Sequence, residues 1–136
     1  MAEPNPRNEA VIAAFRANDG QVDGFDSILI LHSIGARSGE ERVHPLAYLR
    51  IGNDYAVFAS KGGAPVNPAW YHNLLVHGRA RIEVGAETFD VQARLAIDDE
   101  REAIWERQKV ASPGFADYEK KTTRQIPVVI LQRLAK

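Results

Sequence analysis

The chain has 136 residues, 45% hydrophobic and 26% charged, which suits one ordinary core and leaves no room for a second domain of normal size. Seventeen basic residues against eighteen acidic give a formal charge of −1, so a nucleic-acid binder that works by broad phosphate neutralisation is excluded and any anion site has to be local. With no cysteine there is neither a disulfide framework nor a thiolate metal site, and the four histidines, His32, His44, His72 and His77, lack ligand spacing, so no metal is expected.

No apolar run reaches the roughly 18 residues that span a bilayer, and Met1 to Asn8 carry no signal core, so a cytoplasmic location is expected. Pro4 to Asn18 has Val11, Ile12 and Phe15 at helical spacing and Gly20 as a stop, which predicts an amphipathic helix. Its narrow apolar stripe leaves three roles open: packing on the core, peripheral contact with a membrane, or joining two subunits. Ser27 to Ser33 is a short apolar run between Gly24 and Gly35 and predicts a buried strand. Val43 to Ile51 and Asp54 to Ser60 predict a hairpin, because Gly52-Asn53 between them tolerates positive φ.

Asn67-Pro68 then opens a helix, with Asn67 expected to cap, Pro68 at the first helical position and Gly78 ending it. Arg81 to Val84 and Thr88 to Ile97 form a second hairpin around Gly85-Ala86-Glu87, alternating apolar and polar residues. Asp98-Asp99 is expected to cap a helix to about Val110, Phe115 to Lys121 a last helical piece, and Ile126 to Leu131 a closing strand. The early connections are too short for parallel crossovers, so the sheet is expected to be mainly antiparallel and curled into a barrel with flanking helices. The expected division is an N-terminal helix and lead-in over 1–24 and the barrel over 25–136.

Three segments carry chemistry. Gly35-Ala36-Arg37-Ser38-Gly39-Glu40-Glu41-Arg42 joins two strands and combines free backbone, a hydroxyl and two bidentate donors, the pieces of a phosphate or carboxylate site. A solvated polar turn explains the same residues, and Glu40 and Glu41 would have to point away from an anion. Ala59-Ser60-Lys61-Gly62-Gly63-Ala64-Pro65 places a lysine beside glycine amides ahead of a helix start, an anion cradle without Walker spacing, or a plain loop. In Pro68-Ala69-Trp70-Tyr71-His72-Asn73-Leu74, two aromatics could wall a flat ring or pack in the core, and His72 has no carboxylate at orienting distance.

The succession Gly35-x-Arg37-Ser38-Gly39-x-x-Arg42-x-x-Pro45-Leu46, then Ala59-Ser60-Lys61-Gly62-Gly63, then Asn67-Pro68-x-Trp70-Tyr71-x-Asn73-Leu74, then Ile126-Pro127-Val128, resembles the deazaflavin-dependent nitroreductase family of actinobacteria. The resemblance covers Ile28 to Leu131. It implies a split β-barrel like the flavin-mononucleotide-binding barrels, and coenzyme F-420, an 8-hydroxy-5-deazaflavin with a phospholactyl oligoglutamate tail. It also implies hydride transfer from C5 of that ring to a small-molecule acceptor such as a quinone or nitroimidazole.

By the same resemblance, Arg37, Ser38 and Arg42 with Lys61 hold the phosphate and tail carboxylates, and Ala36 and Gly62 beside them are expected to bind the cofactor. Pro45 and Leu46, with Ala59 and Ser60, line the deazaflavin, and their neighbours Val43, His44, Ala47 and Phe58 are expected to bind the cofactor. Ala69, Trp70, Tyr71, His72 and Asn73 on the helix complete that lining, and Phe115 is a further expected cofactor-binding residue. Ser60 and Tyr118 are the candidate proton donors. The sequence departs from the nitroimidazole-activating members in having Ala47 after Leu46 and a single tyrosine in Ser112 to Tyr118, so bulky nitroimidazoles are not expected substrates. A flavin-mononucleotide enzyme on the same barrel and a non-catalytic deazaflavin carrier are the alternatives.

Overall fold

The computed structural model describes residues 6–22, 27–35, 39–60 and 67–134. In chain order these form α1 (Pro6–Ala17), β1 (Ile28–Ile34), β2 (Glu41–Ile51), β3 (Asp54–Phe58), α2 (Ala69–His77), β4 (Arg79–Val84), β5 (Glu87–Leu95), α3 (Asp98–Ala111), α4 (Gly114–Lys121) and β6 (Val128–Arg133). All strand pairs are antiparallel, and the order β1-β2-β3-β6-β5-β4 closes on itself because β1 pairs with both β2 and β4. The expected antiparallel barrel with flanking helices is the fold observed.

Side chains on successive strand residues face opposite ways, and here each face has its own core. Leu29, Leu31, Tyr55, Val57, Ile82, Val91 and Leu131 fill the interior, joined by Trp70 and Leu74 of α2. Outside, Ala56, Phe58, Val128 and Ile130 pack under Ile104 and Trp105 of α3. A third, smaller cluster seats α1: Phe15, 1% exposed, packs on Ile28 and Ile30, with Val11 and Ile12 at its edge. The apolar stripe of α1 is thus spent on the barrel. Arg16 adds a bidentate pair to Glu83 at 3.1 and 2.7 Å, and Glu83 also meets His32 Nε2 at 2.6 Å.

Two caps differ from expectation. Pro68, with ψ 156°, is the residue before α2 rather than its first, so Asn67 lies one position too early to cap and the helix has no side-chain cap. Ile97 precedes α3, which puts Asp98, Asp99 and Glu100 inside the first turn, where negative charge favours the helix dipole without a cap bond. Gly78 ends α2 as expected: its φ of 72° is cheap for glycine, and its N–H bonds to the Leu74 carbonyl at 2.8 Å. The β4–β5 turn is Gly85-Ala86, tighter than expected, with Glu87 already paired to Val84.

Candidate functional site at the helix-covered end of the barrel

Antiparallel order brings six strand ends together: the ends of β1, β3 and β5 and the starts of β2, β4 and β6. Across this end lies α2, which inserts Trp70 and Leu74 into the interior cluster. Buried Asn73 donates from Nδ2 to Ser33 Oγ at 3.3 Å, tying the helix to the last turn of β1. Gln92 Nε2 donates to the Gly78 carbonyl at 2.6 Å and holds the other end of the helix to β5.

The stretch Arg42 to Ala47 was expected to line one ligand, but the pleat divides it. Leu46 and Tyr48 pack on the interior cluster, whereas Val43 packs toward α1 and Leu49 toward α3. By that alternation Arg42, His44 and Leu46 share the interior side, and Val43, Pro45 and Ala47 the opposite face. His44 stands opposite Leu31 and Arg42 opposite Ser33. Burial, reinforced by the Arg42 charge, pulls the His44 imidazole below the usual histidine range, so the ring is neutral near neutrality. Its Nδ1 is buried with no hydrogen-bond partner among the described residues. Glu40, which an anion site would require to turn away, pairs with Arg42 at 3.3 Å, and Glu41 approaches His32 at 3.4 Å.

Ala59 and Ser60 follow β3 at the same end, 0% and 8% exposed. Their neighbour Phe58 belongs to the outer cluster instead, against Trp105 at 5.9 Å and Phe115 at 5.6 Å between ring centroids. Tyr118 sits there too, its ring 5.1 Å from Phe115 and under Lys121 Nζ at 6.0 Å. On α2, Trp70 is buried, Tyr71 half-buried, and Ala69 and His72 are exposed. Ala36, Arg37, Ser38, Lys61 and Gly62 lie outside the described residues.

The site thus gathers Arg42, His44, Leu46, Ala59, Ser60, Trp70, Tyr71 and Asn73 at one end, while Phe58, Phe115 and Tyr118 form a separate aromatic group. Sequence reasoning missed Arg124, which reaches into this end from the segment before β6 and bonds Asn67, Ala59 and Ser60. It also missed an apolar cavity of about 190 Å³ between α2 and β5, lined by Tyr71, Leu74, Leu75, Leu95 and Val129 among others. The described residues hold no group of His, Cys, Asp or Glu suited to a metal ion, and none of their helices is long and apolar enough to cross a membrane.

A model of the family described as F420H(2)-dependent quinone reductase matches residues 8–133. Over 128 residues the chain is 34% identical to an F420H(2)-dependent quinone reductase of Mycobacterium tuberculosis, covering 89% of this chain and 86% of that one. Among solved structures, one described as the F420-H2 dependent reductase FDR-A is 35% identical, with a TM-score of 0.72 over 83% of this chain and all of its own (100%). Another, described as a domain-swapped dimer, is 34% identical with a TM-score of 0.74, covering 91% of this chain and 93% of that one.

Proposed function

The chain belongs to the F420H(2)-dependent quinone reductase family, and on that premise we propose that the α2 end of its barrel holds reduced coenzyme F-420 and presents it to a quinone. The protein is an oxidoreductase: when bound, coenzyme F-420 supplies a hydride from C5 of its deazaflavin, and the quinone takes up that hydride and a proton. What this chain contributes is binding, orientation, exclusion of water and a proton path.

The observation that carries the placement is the buried, unpartnered Nδ1 of His44, two residues along β2 from Arg42, which itself stands across from Ser33. A buried polar atom without a partner costs on the order of 1–3 kcal/mol, a cost that a ligand offering a hydrogen bond removes. Trp70, Tyr71 and Leu46, in or against the interior cluster, are assigned as the apolar wall for a flat ring. Arg42, with Arg37, Ser38, Lys61 and Gly62, is assigned to the phosphate and carboxylates of the tail, where charge-assisted hydrogen bonds give the largest local gain.

Ser60, at the mouth of the barrel, is assigned as the hydroxyl that bonds the oxygen gaining charge as the quinone is reduced. Tyr118 was the other candidate; its ring packing with Phe115 supports a role in the outer core. The cytoplasmic placement belongs to this proposal, as does association with a second copy, which the domain-swapped relative supports.

The test is an equilibrium titration with coenzyme F-420 and with flavin mononucleotide, followed by single-turnover oxidation of the reduced cofactor by a quinone panel. Micromolar or tighter F-420 binding and oxidation faster than without protein are expected. Equal or tighter binding of flavin mononucleotide overturns the cofactor assignment. Binding without acceleration by any quinone favours the carrier.

A further inference from the structure

β3 ends at Phe58, where its ladder with β6 stops, so the carbonyls of Ala59 and Ser60 lie beyond strand pairing although both residues are buried. Buried carbonyls need donors. Arg124, half-buried between α4 and β6, supplies them: Nη2 donates to the Ser60 carbonyl at 2.9 Å and to the Ala59 carbonyl at 3.1 Å. Its Nη1 donates to Asn67 Oδ1 at 2.6 Å, just ahead of α2. One planar guanidinium therefore spans from the end of one element to the start of the next. Asn67 accepts this bond at a position one residue too early to cap the helix, and α2 goes without a side-chain cap.

We propose that Arg124 is a positioning residue for cofactor binding, fixing the end of β3 that carries Ser60 against the start of α2 that carries Trp70 and Tyr71. The proposal rests on the α2 end being the cofactor site. The two carbonyls are met from Nη2 and Asn67 from Nη1, so the bonds span two nitrogens of one rigid fork; a lysine ammonium, with its three donors on a single nitrogen at the end of a flexible stem, does not reproduce that span. Arg124 acts through the groups it holds. Removing it lets the two elements move relative to one another, so each productive contact with the cofactor is made less often, while the reacting groups themselves are untouched.

The experiment compares Arg124→Ala, Arg124→Lys and, as reference, Arg81→Ala, whose exposed pair with Asp90 lies on β4 and β5. In Arg124→Ala we expect the dissociation constant for oxidised coenzyme F-420 to rise about tenfold or more, as loss of charge-assisted bonds does. The Michaelis constant for the reduced cofactor should rise with it, and kcat at saturation should stay within about threefold of the parent. Millimolar guanidinium should restore part of the affinity of Arg124→Ala, and Arg124→Lys should recover little. Without cofactor, amide exchange should quicken at 59–60, 67 and 69–71 in Arg124→Ala and stay unchanged in Arg81→Ala.

Parent-like affinity in Arg124→Ala, or full recovery in Arg124→Lys, overturns the proposal. So does an exchange increase spread evenly over the barrel, which would make Arg124 a general stabiliser. If the parent itself does not bind the deazaflavin, the functional reading fails and this proposal fails with it.

Discussion

α2 and α3 each set a tryptophan against the barrel, and the two seats differ in kind. Trp105 of α3 is 0% exposed, flanked by Phe58 and Phe115, crossed by Arg101 at 5.2 Å, and its indole N–H is answered by Glu119. Trp70 of α2 is nearly as buried, in the apolar interior cluster, but the barrel end that its helix covers also carries polar groups: the Asn73–Ser33 bond of 3.3 Å, the unpartnered His44 nitrogen and a helix start without a side-chain cap. The outer seat is built for stability. The inner one leaves a buried polar atom unpartnered, as the proposed binding site would.

The largest effect expected from breaking this contrast is at Trp105. Trp105→Ala should cost about 3–5 kcal/mol, seen as a shifted urea midpoint, while the fraction still folded binds coenzyme F-420 like the parent. Next come Lys61→Ala and Arg37→Ala, which should leave the melting temperature unchanged but weaken cofactor affinity about ten- to a hundredfold, or about 1.5–3 kcal/mol. Titration with the two variants checks the tail assignment; parent-like affinity in both would return these loops to ordinary turns.

A smaller effect, opposite in sign for the two properties, is expected at His44. His44→Leu removes the unpartnered nitrogen, so the apo protein should hold or gain up to about 1 kcal/mol, while the cofactor binds roughly tenfold more weakly. The imidazole also links stability to pH. Its folded pKa lies below the unfolded one, so the unfolded state binds more protons and stability falls as pH drops through the histidine range. His44→Leu should flatten that slope between about pH 7 and 5. A second loss at lower pH should remain, because the Glu83 carboxyl, held down first by its hydrogen bond from Arg16, becomes protonated there.

The smallest change is Tyr118→Phe, expected to keep both affinity and hydride-transfer rate within about twofold, whereas Ser60→Ala should slow transfer by about tenfold or more. Stopped-flow oxidation of the reduced cofactor by a quinone separates the two. A slow Tyr118→Phe with normal affinity would put its hydroxyl back among the proton donors.

Strand and helix identities were legible because they depend on local signals: alternation in β4 and β5, Gly52 at one hairpin, Gly78 after α2. That Arg42, Ala59, Ser60 and α2 would meet at one end was legible too, since these segments flank the strand ends that an antiparallel barrel must gather. What was not legible is which way each residue turns. Phe58 and Ala59 are adjacent in sequence yet belong to cores on opposite sides of one sheet, and a contiguous run such as Arg42 to Ala47 hides the same division. Asn67 looks like a cap by spacing alone; its true partner, Arg124, is 57 positions away, and no local rule connects them.

The order of strands has a further consequence for how the chain is made. β6 is inserted between β3 and β5, so a nascent chain that has emerged as far as α4 has five strands and two unpaired edges, on β3 and β5. At about 5–20 residues per second, these edges wait through the synthesis of α3, α4 and β6 before the ring can close. During that interval Ala56, Phe58 and the interior of the half-built barrel are open to neighbouring chains, and the edges are templates for pairing. A β6 borrowed from another copy would satisfy them as well as the chain's own, so the biogenesis of this barrel is most vulnerable, and most sensitive to chaperones, just before its last strand appears.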